Sequence, residues 1–199
     1  MYYNKAVSMT KKQDKAPREF AGVKGSVKKG LIIVNTGDGK GKSTAAFGTA
    51  LRALGQGHKV AIVQFIKGNW KTGEGEFFKK LKGRAQIHSM GEGFTWDTRD
   101  FKRDVAAAQR AWNKCREFLH DDAHQLVIFD EINCAMAYNF LDVKKVVAQL
   151  KKKPPLKHVI LTGRGAPKEL IELADLVTEM KCVKHPYVQG IPAQPGVDY

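Results

Sequence analysis

Membrane-length apolar runs are missing from this sequence, and no hydrophobic stretch approaches the length needed to cross a bilayer. The opening residues Met1-Tyr2-Tyr3-Asn4-Lys5 carry none of the apolar core of a secretion signal. Cysteine is scarce: Cys115, Cys134 and Cys182 stand far apart, are odd in number and form no Cys-x-x-Cys pair. They read as reduced thiols, so the expected location is the cytoplasm. No Ser-His-Asp or Cys-His arrangement is visible, which leaves nucleophilic catalysis by the protein itself without support. Internal repeats and low-complexity segments are missing too. Acidic residues are outnumbered, 20 Asp and Glu against 34 Lys and Arg, for a net charge of +14.

A basic balance of that size asks for an anionic partner. Residues 1–29 hold eight Lys and Arg against Asp14 and Glu19, so six of the fourteen charges lie in a polar, weakly periodic arm. The rest is dispersed, with clusters at Lys79-Lys80 and Lys151-Lys152-Lys153. No stripe of basic residues interleaved with aromatics runs through it, which argues against a nucleic-acid partner. A solvated basic surface around an anionic small-molecule site accounts better for the charge. With 199 residues, 43% hydrophobic and 27% charged, residues 30–199 suffice for a single soluble domain with a real core.

The strongest local signal is Thr36-Gly37-Asp38-Gly39-Lys40-Gly41-Lys42-Ser43-Thr44, directly after the apolar run Leu31-Ile32-Ile33-Val34. A buried strand, a Gly-rich turn, Gly-Lys-Ser and then a helix form the context of a phosphate-binding loop. Glycines let successive N–H groups converge on phosphate oxygens, the helix N-terminus adds positive potential, and Lys42 adds a mobile charge. The Ser43 hydroxyl is a candidate Mg²⁺ ligand. The frame is altered, because Thr36 stands where the usual pattern has its first glycine, and Gly37 and Gly39 supply the flexibility instead. The loop is expected to hold a nucleoside triphosphate, in an unusual way.

Further along, apolar runs alternate with helical patterns. Strands are expected near residues 31–35, 59–66, 85–90, 125–129, 157–161 and 176–180, and helices near 43–54, 74–81, 101–119, 142–152 and after Pro167. Phe101, Val105, Ala108, Trp112, Cys115 and Leu119 mark one buried helical face, and Val143, Val146, Val147 and Leu150 another. Pro154-Pro155 stops the latter helix, Pro167 opens the next at its first turn, and the tail from Lys181 is expected to be irregular. The result is an α/β fold: a parallel sheet flanked by helices, of the RecA-like P-loop NTPase kind.

The fourth strand ends in Asp130-Glu131. Opposite Ser43, Glu131 reads as the closer metal ligand and Asp130 as its support. Arg164, between Gly163 and Gly165 after the fifth strand, has the planar fork that suits phosphate. Arg52, on the phosphate-loop helix, reads equally as a second phosphate contact or a solvated side chain. Phe94 and Trp96 lie in a loop opened by Gly91 and Gly93, where open α/β sheets bind ligands. They fit either a strand's inward face or a wide, flat, apolar ligand surface. The spacing of His120 and His124, with Asp121-Asp122 between them, reads as solvated histidines at a helix end rather than a metal site.

Taken in order, these segments resemble the P-loop type of ATP:corrinoid adenosyltransferase. The likeness is carried by Val34 to Gly48, by Val63-Gln64-Phe65-Ile66-Lys67-Gly68, Gly93-Phe94-Thr95-Trp96 and Phe129-Asp130-Glu131, and by Leu161-Thr162-Gly163-Arg164-Gly165, Val183-Lys184-His185 and Gly196-Val197-Asp198-Tyr199. The resemblance implies transfer of the 5′-deoxyadenosyl group of ATP to the cobalt of a reduced corrinoid, cobalamin or another, with release of triphosphate. ATP would lie in the loop in reversed orientation, which accounts for the altered frame. Co(I) from the substrate would be the nucleophile, which accounts for the missing one. By the same resemblance Gly37, Asp38, Gly39, Lys40, Gly41, Lys42, Ser43 and Thr44, with Thr36 before them, hold the triphosphate. Ser43 and Glu131 hold Mg²⁺, while Arg52 and Arg164 reach phosphate oxygens. Phe94 and Trp96 would face the lower side of the corrin and keep Co(II) four-coordinate for reduction by a flavodoxin-like donor. A homodimer is implied as well. A P-loop ATPase or kinase is the alternative, and it leaves Phe94 and Trp96 without a task. Ser43 where many relatives have Thr, Asn133-Cys134-Ala135-Met136 and the proline-bearing tail depart from the family pattern.

Overall fold

A computed structural model describes residues 27–66, 71–91, 93 and 100–199. Six strands form one parallel sheet: β1 (Ile32–Thr36), β2 (Val60–Gln64), β3 (Ala85–Ser89), β4 (Leu126–Asp130), β5 (His158–Thr162) and β6 (Leu176–Glu179), in the order β3-β2-β4-β5-β1-β6. Helices α1 (Lys42–Gly55) and α2 (Gly73–Lys80) cover one face. On the other lie α3 (Phe101–His120), α4 (Ile132–Ala137), α5 (Val143–Lys151) and α6 (Lys168–Leu173). This is the expected α/β architecture of the RecA-like P-loop kind, with β5 inserted between the loop-bearing β1 and the acid-ended β4.

Central strands read as unbroken apolar runs because both their faces are covered. In β4 the alternation sends Leu126 and Ile128 toward Phe47, Leu54 and Phe78, and Val127 and Phe129 toward Trp112 and Leu119. Trp112 meets Phe129 edge-on at 6.1 Å. Hydrophobic runs therefore place every strand within a residue or two of its expected limits. Edge strand β6 differs: all four of its residues are exposed.

Four local readings change. Phe101 is not on the buried face of α3: it is 59% exposed at the first turn, its ring against Phe140 at 5.4 Å. Phe118 takes a core place instead, because a stripe that steps by three and four drifts around a helix of 20 residues. Helix α4 was not anticipated; it has only six residues and follows Glu131, whose φ is +66°. Pro167 caps α6 from just outside rather than sitting in its first turn. His124 is not solvated but buried, its Nδ1 2.6 Å from the Asp121 carboxylate and its ring against Phe118, whereas His120 is exposed beside Gln149.

Asp121 also anchors a buried lysine. The Lys157 side chain is 4% exposed, and its ammonium donates to the Phe118 carbonyl at 2.7 Å, to Asp121 Oδ1 at 2.8 Å and to the Asp121 carbonyl. One side chain thus ties the end of α3 to the start of β5, at the sheet end remote from the phosphate loop. Burial pushes the Asp121 carboxyl up, but the hydrogen bonds from Lys157 and His124 outweigh it and hold the group below its ordinary value. A depressed carboxylate stabilises the fold above its unfolded-state pKa, and that contribution is lost as pH falls through the folded value. Asp121→Ala is expected to cost about 3 kcal/mol at neutral pH by leaving the Lys157 charge without its counter-ion. Urea unfolding should also show the variant losing less stability than the parent on acidification below about pH 4.

Candidate functional site

Every parallel strand delivers its C-terminal residue to the same end of the sheet, and there the candidate residues meet. Gly41, at φ +108°, turns the chain from β1 into α1, so Lys42 begins the helix. Gly39 is required for a different reason: a Cβ there would lie 2.7 Å from the Lys181 backbone. Its N–H donates to the Met180 carbonyl at 2.7 Å, so this loop amide is engaged by the chain itself. Asn35 Nδ2 donates to the Lys42 carbonyl at 3.1 Å, and the Thr36 hydroxyl accepts from Ala166 N–H at 3.2 Å. Thr36 therefore braces the loop after β5 with its hydroxyl.

Arg164 reaches that turn from β5. Gly163 and Gly165, at φ +125° and +66°, swing it across the sheet end. Its Nη2 donates to the Asp38 carbonyl at 3.4 Å, and its Nε lies 3.8 Å from Asp38 Oδ1. The Lys42 ammonium folds back onto the Gly39 carbonyl at 2.5 Å. Burial, and then the charge of Arg164, hold the Lys42 ammonium below its ordinary value, while Cys134, Glu131 and Asp38 act the other way. Two cations reaching the same turn beside a helix N-terminus offer positive charge to an anion.

Asp130 and Glu131 differ in their surroundings. Asp130 is fully buried and accepts from Gln64 Nε2 at 3.0 Å and from the Thr162 hydroxyl at 2.7 Å. The same Thr162 oxygen accepts from Glu131 N–H at 2.9 Å, and Ser89 donates to Gln64 Oε1 at 2.8 Å. A continuous hydrogen-bonded run thus crosses β3, β2, β4 and β5 and fixes the peptide that carries Glu131. Gln64 and Thr162 were not picked out as functional from the sequence. Their signal is positional: each is a polar residue closing an otherwise apolar strand. Ser43 and Glu131 offer a hydroxyl and a carboxylate, an oxygen-only pair that suits a hard cation such as Mg²⁺.

Other candidates fall elsewhere. Arg52 lies exposed in the last turn of α1, about 15 Å along the axis from Lys42, so it is not brought into the turn. Thr44 is exposed in the helix's first turn, and Lys40 is paired with Asp198. Phe94 and Trp96 lie outside the described residues, as do Lys67 to Trp70 and the arm up to residue 26. Beside Gly93, a narrow cleft is lined by Phe65, Ile66, Tyr138 and Phe140. Phe101 and Tyr138 flank Phe140 there, both with exposed rings. The Cys134 thiol is raised by burial and then by the Glu131 carboxylate, so at neutral pH it is a protonated neighbour rather than a thiolate.

The sequence profile of the family described as ATP:corrinoid adenosyltransferase BtuR/CobO/CobP matches residues 28–199. The chain belongs to this family. A corrinoid adenosyltransferase of Sinorhizobium is 52% identical over 196 residues, 98% of this chain and 91% of the relative. The corrinoid adenosyltransferase of Pseudomonas aeruginosa is 47% identical over 171 residues, covering 86% of this chain and 84% of its own. Corrinoid adenosyltransferase CobA of Salmonella typhimurium is 43% identical over 171 residues, with 86% of each chain covered. The chain is thus an enzyme of the corrinoid adenosyltransferase family built on a P-loop fold, and the phosphate loop, the acid-ended β4 and Arg164 all lie within the matched residues. No helix among the described residues is long and apolar enough to cross a membrane.

Thr162→Val keeps the shape of the side chain but removes the oxygen shared by Asp130 and Glu131. The expected result is a loss of about 1–3 kcal/mol in urea unfolding, because a buried carboxylate oxygen loses its donor. Turnover should fall by about tenfold or more in the folded variant as Glu131 shifts.

Proposed function

We propose that the chain transfers the 5′-deoxyadenosyl group of ATP to the Co(I) centre of a reduced corrinoid, cobalamin or another, and releases triphosphate. The observation that carries this reading is that Lys42 and Arg164 both reach the phosphate loop, one on the Gly39 carbonyl and the other on the Asp38 carbonyl, while the neighbouring Cys134 thiol is kept protonated. Such a site is built to take up negative charge on a leaving group. In the proposed step a Co(I) electron pair attacks C5′, the C5′–O bond breaks, and its electrons depart on the triphosphate oxygen. The cobalt is thereby oxidised to an alkyl-Co(III) species, with no proton required of the protein.

The chain's own task is binding and neutralisation. Lys42 and Arg164 engage the polyphosphate, helped by N–H groups at the start of α1. Ser43 and Glu131 would hold Mg²⁺, which supplies further neutralisation of the phosphate oxygens. Their oxygen-only character, and the hydrogen bond fixing the Glu131 peptide to Thr162, support that assignment. Arg52 would join only through a large movement of its side chain.

Phe94 and Trp96 are assigned to the lower corrin face, where a side chain without a ligating atom leaves Co(II) four-coordinate and easier to reduce. The exposed ring of Tyr138 in the cleft beside Gly93, with Phe101 exposed on the other side of Phe140, favours an apolar ligand in that quarter. A reduced flavodoxin-like donor belongs to the same reading, and the net charge of +14 suits an acidic partner. Assembly as a homodimer is part of it as well.

Chemically reduced cobalamin and ATP should give adenosylcobalamin and inorganic triphosphate in equal amounts, detected by absorbance and ion chromatography. ADP or orthophosphate as the main product would mark a P-loop ATPase or kinase instead. Lys42→Ala is expected to abolish turnover while leaving the circular dichroism spectrum and melting profile intact. Trp96→Ala should depress activity far more when Co(II) is reduced enzymatically than when Co(I) is supplied; equal losses would remove the lower-face role.

A further inference from the structure

The residues after β6 do not leave the site. Met180 and Lys181 pack their backbones onto Gly37 and Gly39, and the chain then returns through a short 3-10 turn (Pro186–Gln189). Its last six residues close on themselves. Gly196 N–H donates to the Tyr199 carbonyl at 2.8 Å, and Asp198 N–H to the Gln194 carbonyl at 2.8 Å. Gln194 N–H donates in turn to Asp198 Oδ2 at 2.8 Å. That leaves Asp198 Oδ1, which accepts from the ammonium of Lys40, 158 positions earlier in the chain. The Asp198 side chain is 12% exposed and the Lys40 side chain 52%.

Lys40 stands between Gly39 and Gly41 in the phosphate loop, so its charge is one the bound nucleotide would otherwise attract. The hydrogen bond from Lys40, and then that from Gln194, hold the Asp198 carboxyl below its ordinary value, so it carries a full negative charge at neutral pH. A carboxylate here engages the Lys40 ammonium that a phosphate oxygen would also seek. It also lies at the mouth of a site meant for a polyanion, where its own charge opposes the ligand. Phosphate, with more charge and more acceptor oxygens, is the stronger partner for an ammonium.

We propose that Asp198 is a built-in competitor for the phosphate loop: it holds Lys40 when the loop is empty, and the polyphosphate must take Lys40 from it on binding. This deepens the nucleotide-binding reading above and rests on it. The arrangement weakens binding of the polyphosphate and hastens its release, which matters in an enzyme whose leaving product is the most highly charged species in the site. The Gln194–Tyr199 turn is correspondingly tight when the loop is empty and loosened when it is filled.

Calorimetric titration of the full chain with inorganic triphosphate, with and without Mg²⁺, tests this directly. Asp198→Asn should tighten binding by about three- to tenfold, the loss of one opposing charge and one competing ion pair. In a Lys40→Met background the same substitution should give a clearly smaller gain, because only the opposing charge is then removed. Weaker or unchanged binding in Asp198→Asn, or an equal gain without Lys40, would overturn the proposal. The parent protein offers an independent readout should the variant fold poorly. Hydrogen exchange at the Gly196 and Asp198 amides should quicken when triphosphate binds, and slowed or unaltered exchange would count against it. Failure of the parent to bind triphosphate at all would instead remove the nucleotide-loop reading, and this inference with it.

Discussion

The turn from β1 into α1 gathers positive charge: the Lys42 ammonium lies on the Gly39 carbonyl, and Arg164 reaches the Asp38 carbonyl from the loop after β5. That concentration of charge, set by the backbone of the turn, is the constraint around which the rest is arranged. The loop's glycines make the approach sterically possible, and partial burial of Lys42 reduces the screening of its charge. Acidic groups at Asp38 and Glu131 keep the empty site tolerable without cancelling its appetite for an anion. In the proposed reaction, where the nucleophile arrives with the substrate, the chain's own side chains need supply little beyond such a preorganised field.

That field is only as good as its scaffold. The run from Ser89 through Gln64, Asp130 and Thr162 to the Glu131 peptide crosses four adjacent strands, so the acidic end of β4 is set by neighbours on both sides. At the far end of the sheet the buried Lys157 ammonium binds α3 to β5. One polar device fixes the chemistry, and the other holds together the layer beneath it. Both are satisfied networks in which the polar atoms have partners, the condition under which burial of such groups is tolerable.

The strands and the phosphate loop were legible because their causes are local. Apolar runs mark strands covered on both faces, and Gly41 followed by Lys42 and Ser43 fixes the turn into α1. Asp130 and Glu131 were legible as the end of β4 for the same reason, although many strands end in acids and only the pairing with Gly41-Lys42-Ser43 singled them out. What escaped was non-local. Nothing near residue 157 announces a lysine neutralised by Asp121, and nothing near residue 198 announces a partner at residue 40. Phe101 misled because periodicity says which face a residue shares but not where the helix overruns its sheet. His124 misled because its burial is decided by Phe118 and Asp121, not by its polar neighbours in the chain.

Glu131 sits in the left-handed region at φ +66°, immediately after a strand and before a helix, where glycine would be at ease. Holding a side chain there costs about 1–3 kcal/mol. Position 131 is therefore one where comfort and usefulness pull apart: a glycine would relax the corner and harden the fold while deleting the carboxylate. Searches for sturdier variants, if guided by thermal resistance alone, will be drawn to this corner and will discard the carboxylate it presents at the sheet end.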